Sequence, residues 1–298
     1  MRRAPRPGVA GLVHNHEVHF GLFLPPFEEF SEPQRVMALA KTAEDAGWDG
    51  LFLWDHMLAA PGVPIADPWV TMAAIATSTT RLRFGALVTP LPRRRPWVMA
   101  RQIATLDRLS AGRLIVGVGI GDDGWSEFSS FGEAEDPVLR GEVLDEALEL
   151  LQRLLAGNSV QYDGRHFAVN TTALLPKPQQ DPIPIWGACR WPYRKPLARA
   201  AKLQGCFPIF PVAGPPPPPT PSDIESIRRV LTDFGALPDA DLVVRCALSL
   251  EDPGSVADTV SALEEAGVTW VLEGFGPREP PASIVESIVG NGPPLPAS

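Results

Sequence analysis

The sequence predicts an α/β protein, a single (β/α)8 TIM barrel with insertions. Two observations carry this reading. Short β-branched or apolar runs alternate with helical patterns along the chain, which is how βα units and a parallel sheet are written in sequence. Eight such pairs can be counted, and 298 residues suffice to bury one barrel-sized core.

The strand runs are residues 19–24, 50–53, 82–88, 113–119, 183–186, 205–209, 241–248 and 269–273, each followed by a helical pattern. Ser31 reads as an N-cap of the first helix, and Gly47 lies just past its end, where the left-handed conformation is needed. Asp67 and Pro68 repeat the pattern: aspartate caps free amides and proline fills the first turn, where its missing N–H costs nothing. After Arg140, Leu144, Leu148, Leu151 and Leu155 recur at helical spacing and form a core-facing stripe. Two segments interrupt the alternation. Residues 158–175 read as a hairpin turning at Asp163-Gly164, and the proline-rich loop 211–221 reads as a stiff connector, with a lid or docking segment as the alternative. The division is a flexible N-terminal arm, 1–18, the barrel, 19–290, and a C-terminal tail, 291–298.

Composition excludes several functions. With 45% apolar residues the chain is globular rather than disordered, and no apolar run reaches membrane-spanning length. Acidic side chains outnumber basic ones, 35 to 26, which disfavours a nucleic-acid partner and leaves a small-molecule substrate. The amino terminus is basic but lacks the apolar stretch of a secretory signal, so a cytoplasmic location is expected. Cys189, Cys206 and Cys246 show no CxxC spacing, and neither a disulfide framework nor a zinc site is predicted.

In such a barrel the reactive groups stand at the carboxyl ends of the strands. That rule selects Trp54-Asp55-His56 after the second run, Val88-Thr89-Pro90 after the third, 117–123 after the fourth and Gly187-Ala188-Cys189-Arg190 after the fifth. The strings GLFLWDHM, LVTPLPRRRP, ARQIATLDRLSAGRLIVGVGIGD and PKPQQDPIPIWGA, in this order, resemble motifs of the luciferase-like monooxygenase family of flavin and deazaflavin oxidoreductases.

The resemblance implies reduced FMN, activating oxygen for monooxygenation, or coenzyme F420, chiefly transferring hydride, and a homodimer. It makes His56 and Asp55 the catalytic pair, with His56 donating or accepting a proton and Asp55 orienting it; a histidine fixed for structure is the alternative. Leu87, Val88 and Thr89 match a bulge in which a cis peptide before the valine lets the chain back the ring. Asp122 falls in the same cofactor set, as do Gly187, Ala188, Cys189 and Arg190, the phosphate turn. Ala188 departs from the glycine usual at its position, and Arg190 supplies charge. Glu127-Phe128 and Phe131-Gly132 resemble the pattern that follows the fourth strand.

Other readings compete. Gly119 to Gly124 satisfy GxGxxG, but mid-chain and with Asp122 and Asp123 where a pyrophosphate would sit, which argues against a Rossmann unit. Arg93, Arg94 and Arg95 either attract an anion at the mouth or form a solvated loop. His14 and His16 spell the HxH of metal-dependent amidohydrolases, yet precede the strand and lack histidines on the fifth and sixth runs, so no metal is expected. A non-catalytic flavin-binding barrel is the remaining alternative.

Overall fold

A computed structural model describes residues 18–210, 217–251, 253–277 and 280–294 of the chain. Its strands are β1 (His19–Leu24), β2 (Gly50–Leu53), β3 (Arg83–Ala86), β4 (Thr89–Pro90), β5 (Val116–Gly119), β6 (Val160–Asp163), β7 (Ala168–Thr171), β8 (Ile185–Arg190), β9 (Gly205–Ile209), β10 (Asp241–Cys246) and β11 (Trp270–Gly274). The helices are α1 (Pro33–Ala46), α2 (Pro68–Ser78), α3 (Pro96–Leu109), α4 (Pro137–Leu155), α5 (Arg194–Ala200), α6 (Pro221–Asp233), α7 (Pro253–Glu265) and α8 (Ala282–Asn291). None of the described helices is long and apolar enough to cross a membrane.

Nine strands pair in the order β3-β2-β1-β11-β10-β9-β8-β5-β4, all in parallel. The open side closes through a parallel bridge between Phe84 and Leu114, with Ile115 N donating to Phe84 O at 2.9 Å. The run 82–88 is thereby corrected: it is one barrel stave broken into β3 and β4 at Leu87–Val88, whose peptide bond is cis as the resemblance implied. Gly117 permits the closure, because a Cβ there would stand 2.3 Å from the carbonyl oxygen of Ala86.

Alternation along each strand sorts side chains into two layers. Phe23, Phe52, Ile115, Trp186, Phe207 and Trp270 fill the barrel, and a larger outer layer binds the strands to the helices. Leu144, Leu148, Leu151 and Leu155 of α4 are buried there as the spacing predicted, each contributing about 1.5–3 kcal/mol of transfer free energy. At the amino end of the barrel, Asp241 accepts hydrogen bonds from Trp186 Nε1 (3.1 Å) and Thr269 Oγ1 (2.9 Å). Burial pushes this carboxyl above its ordinary value, against the pull of those two donors.

The punctuation is as read at two helix boundaries and different at a third. Asp67 accepts from Val70 N at 2.8 Å, and Gly47 is left-handed (φ 94°) with its N–H returned to α1. Ser31 is not the cap of α1: it ends a short 3-10 turn, Glu28–Ser31, and its hydroxyl donates to Glu28 O, so Glu32 takes the N-cap position with no side-chain hydrogen bond. The hairpin β6–β7 turns at Gly164, whose N–H donates to Phe167 O. Residues 1–17, with His14 and His16, residues 211–216 of the proline-rich loop and the tail residues 295–298 lie outside the described residues. Pro221 opens α6 behind a reciprocal capping pair, Thr220 and Asp223.

Candidate active site

Beyond β2 the chain turns out of the barrel at Trp54, Asp55 and His56, and Asp55 and His56 pair differently from expectation. Asp55 is buried and held by two arginines: Arg93 Nη2 donates to its carbonyl (2.8 Å) and to Oδ1 (3.1 Å), while Arg94 Nη2 donates to both carboxylate oxygens (2.9 and 2.8 Å). No carboxylate oxygen of Asp55 is bonded to His56. The partner of His56 is Glu127, 71 residues away, whose Oε2 lies 2.6 Å from Nδ1. Oε1 of the same carboxylate accepts from Met57 N (2.5 Å), Leu58 N (3.4 Å) and Arg93 Nη1 (3.2 Å).

Local folding of the loop after β5 delivers Glu127. Asp123 Oδ1 accepts from Phe128 N (2.7 Å) and Ser129 N (3.3 Å), tying the segment into a compact turn; these bonds, Phe128 N foremost, hold the Asp123 carboxyl below its ordinary value. Phe128 is buried beneath the guanidinium groups of Arg140 and Arg93, 4.4 and 5.7 Å from its ring centre. Burial alone would raise the Glu127 pKa. The hydrogen bond and charge of His56, Met57 N and Arg93 outweigh it and hold the group below its ordinary value.

An ionised carboxylate only accepts, so Nδ1 of neutral His56 carries the proton and Nε2 has the lone pair. Among the described residues Nε2 has no hydrogen-bond partner. Aromatic rings wall the imidazole: Trp125 at 4.9 Å, Trp54 at 5.7 Å and Phe27 at 5.9 Å between centroids. A histidine with one nitrogen fixed to a carboxylate and the other unbonded is equipped to take up or deliver a proton.

The residues expected to hold a cofactor separate by face. Val88 and Ala188 pack with Trp54 on top of the interior cluster, while Leu87 is part of that cluster. Thr89 is fully buried and its hydroxyl accepts from Trp69 Nε1 at 3.1 Å, toward α2. Asp122 is exposed, its Oδ2 accepting from Gly124 N. The expectation that Gly187 opens the phosphate turn is corrected, because β8 runs on to Arg190 and leaves Gly187 mid-strand, its open side against Ala200 of α5. Cys189 likewise turns outward, its sulfur 3.0 Å from that of Cys206; only its backbone remains for a ligand. Arg190 ends the strand, exposed, on the side shared by Trp186 and Ala188. The residues present fit a planar ring system: Trp54, Val88 and Ala188 form an apolar seat, and Trp54 Nε1 is a buried donor with no partner.

Three functional side chains escaped the sequence reading. Arg93 and Arg94, expected at a solvated or anion-attracting mouth, are 5% and 17% exposed and consumed by Asp55 and Glu127. In the sequence Glu127 stands only as the acid of an acid–aromatic pair after a strand, Glu127-Phe128, and nothing in its spacing links it to His56. The described histidines stand apart, His19 beside Asp49 and His166 beside Glu142, so they share no ligand set with His56. Gly119 continues into a loop rather than a helix, which removes the Rossmann reading.

Fold and site together define a (β/α)8 barrel with an aromatic-walled histidine at its carboxyl mouth. The sequence profile described as luciferase-like monooxygenase matches residues 18–266, and the chain belongs to that family of oxidoreductases. An uncharacterized protein of Mycobacterium tuberculosis is 30% identical over 257 residues, 80% of this chain and 83% of that protein. The structure of the coenzyme F420 dependent tetrahydromethanopterin reductase from Methanopyrus kandleri superposes with a TM-score of 0.71 at 21% identity, covering 92% of this chain and 97% of the reductase. The oxygenating constituent of 3,6-diketocamphane monooxygenase from Pseudomonas putida, in complex with FMN, gives 0.71 at 15% identity over 92% and 96%. At these identities the two structures speak for the fold.

Proposed function

We propose that the chain is an oxidoreductase that binds a flavin-type cofactor, coenzyme F420 before FMN, across the carboxyl ends of its strands and acts on a small organic substrate. The observation that carries this is His56, fixed by Glu127 through Nδ1 and unbonded at Nε2, beside the apolar seat of Trp54, Val88 and Ala188. When bound, F420 supplies hydride chemistry and reduced FMN supplies oxygen activation. His56 Nε2 takes the substrate proton when an alcohol-type carbon is oxidised and returns it in the reverse direction, while Glu127 stabilises the cationic ring that results. Such proton handling is what hydride transfer at an oxygenated carbon requires, which places F420 first. Phe27, Trp54 and Trp125 keep water from the imidazole. Asp55 serves by holding Arg93 and Arg94 in place rather than by touching substrate. Arg190, exposed at the end of β8, would supply charge to a cofactor phosphate.

The test is direct: titrate the purified chain separately with F420 and FMN, oxidised and reduced, and follow fluorescence. Micromolar or tighter binding of F420 is the expected result; binding of FMN alone moves the chemistry to oxygen activation, and binding of neither removes the proposal. Sedimentation velocity on the same sample tests the homodimer that accompanies it.

A further inference from the structure

The cations at the barrel mouth are of two kinds. Arg93 and Arg94 are matched by Asp55 and Glu127. Arg245 is not. On β10, Val243 enters the interior cluster while Val244 and Cys246 join the outer layer, so alternation directs Arg245 inward near the carboxyl end of the strand. Its guanidinium carbon lies 5.5 Å from the centre of the Phe23 ring. Its stem passes over the α-carbon of Gly274, where a Cβ would come within 2.7 Å of Arg245 Cγ. Gly274 therefore leaves open the path the side chain uses.

Among the described residues no group forms a hydrogen bond or ion pair with this guanidinium. Glu273 of β11, which pairs with Cys246, faces the outer layer and accepts from Ser249 Oγ at 2.6 Å. Burial draws the Arg245 pKa below its ordinary value, as expected of a cation partly removed from water without a carboxylate. An apolar residue would serve the fold better at such a position, so an unmatched charge there points to a ligand contact. The surroundings say which kind. Phe23 stands 5.4 Å from Trp54, and Trp54 stands 5.7 Å from His56, so an aromatic surface runs from the cation to the proton-handling ring. Arg190 stands two staves away, since β9 separates β8 from β10.

We propose that Arg245 determines substrate specificity by receiving an anionic group of the substrate, a small acid whose apolar body lies against Phe23 and Trp54 between Arg245 and His56. This rests on the oxidoreductase reading for what happens to the acid, but not for its binding. A cofactor phosphate offers the same anionic oxygens, and the experiment separates the two sources.

Calorimetry on the full chain, with benzoate and its neutral counterpart benzamide as probes, reads the charge alone. The wild-type chain is expected to bind benzoate about tenfold or more tighter than benzamide, the worth of one charge-assisted hydrogen bond. Arg245→Met is expected to abolish the preference with benzamide affinity and cofactor affinity unchanged, and Arg245→Lys to keep part of it. A wild-type chain without the preference, or an Arg245→Met chain that retains it, overturns the proposal. So does a Met variant that loses cofactor affinity and keeps benzoate, which would give the cation to the cofactor. The wild-type comparison needs no variant to fold. If neither F420 nor FMN binds the wild-type chain, the cofactor reading fails while the benzoate preference still reports on Arg245.

Discussion

Glu127→Gln tests the pairing on which the site depends. One carboxylate accepts from His56 Nδ1 and Arg93 Nη1 and from the amides of Met57 and Leu58. An amide keeps one accepting oxygen and brings an NH2 group to face either His56 Nδ1–H or the donors on the other side, so one set is left unsatisfied. Arg93 keeps Asp55 as a partner, which moderates the loss. A charge-assisted bond lost from a buried group costs about 2–3 kcal/mol, or ~30–150-fold in the folded-to-unfolded ratio. Because the Glu127 pKa is depressed in the fold, its contribution is present above the ordinary value of 4.5 and is lost as pH falls through the folded value. Urea unfolding at neutral pH should show the full deficit of the variant, and the deficit should shrink in acid. Nitrogen NMR should find wild-type His56 as the Nδ1–H tautomer and the variant as a mixture. Equal midpoints at neutral pH together with an Nε2–H tautomer in the wild type would refute the pairing.

Three further outcomes follow from the same geometry. Asp55→Asn removes a buried carboxylate between one buried and one partly buried guanidinium group and should lower stability by about 3 kcal/mol, read from the denaturation midpoint; an unchanged midpoint would return Asp55 to a role in orienting His56. Gly117→Ala places a Cβ against the Ala86 carbonyl, a backbone atom with little room to move, and should cost about 1–3 kcal/mol by the same measure. Asp241→Asn probes the opposite pole: the folded pKa is raised, so the wild-type chain loses stability as pH rises from the unfolded carboxylate value through the folded one, and the variant should lack that slope. Melting temperatures of the two proteins that run parallel from acid to neutral pH would contradict it.

How much of this was legible in the sequence follows from the range over which each signal acts. β1, β2 and β9 occupy the residues read from the run of apolar side chains, because a strand buried on both faces is apolar throughout. The fifth run stops at Trp186 in the sequence because Gly187 and Ala188 read as a turn; in the barrel they are strand residues, small because α5 and the interior press on either side. His56 was legible from its place after β2, and its ring is where the mouth was expected. Its partner was not. Asp55 is adjacent in sequence and Glu127 distant, yet adjacent residues leaving a strand point in different directions, and Asp55 turns to Arg93 and Arg94. Three consecutive arginines read equally as an anion-attracting mouth or a solvated loop, because a charge run carries no mark of the carboxylates that will neutralise it.

That neutralisation has a chemical consequence. Asp55 and Glu127 against Arg93 and Arg94 form a buried network of two negative and two positive charges, so their fields largely cancel at the mouth. A carboxylate left open beside His56 would compete for the substrate proton and repel an anionic substrate. With both carboxylates engaged, the imidazole is the base presented to a ligand, and Arg245 is an inward-facing charge without a partner among the described residues, partly buried where Arg190 at the end of β8 is exposed. On the proposed reading the arrangement separates two tasks that one ion pair would mix: the charge proposed to select a substrate stands on β10, and the group proposed to move its proton stands beyond β2. Breaking Arg245 should then change which molecules bind without altering the His56 tautomer, whereas breaking Glu127 should change the tautomer without altering the preference for an acid. A single variant that changed both would show that the two ends of the aromatic surface are one electrostatic unit.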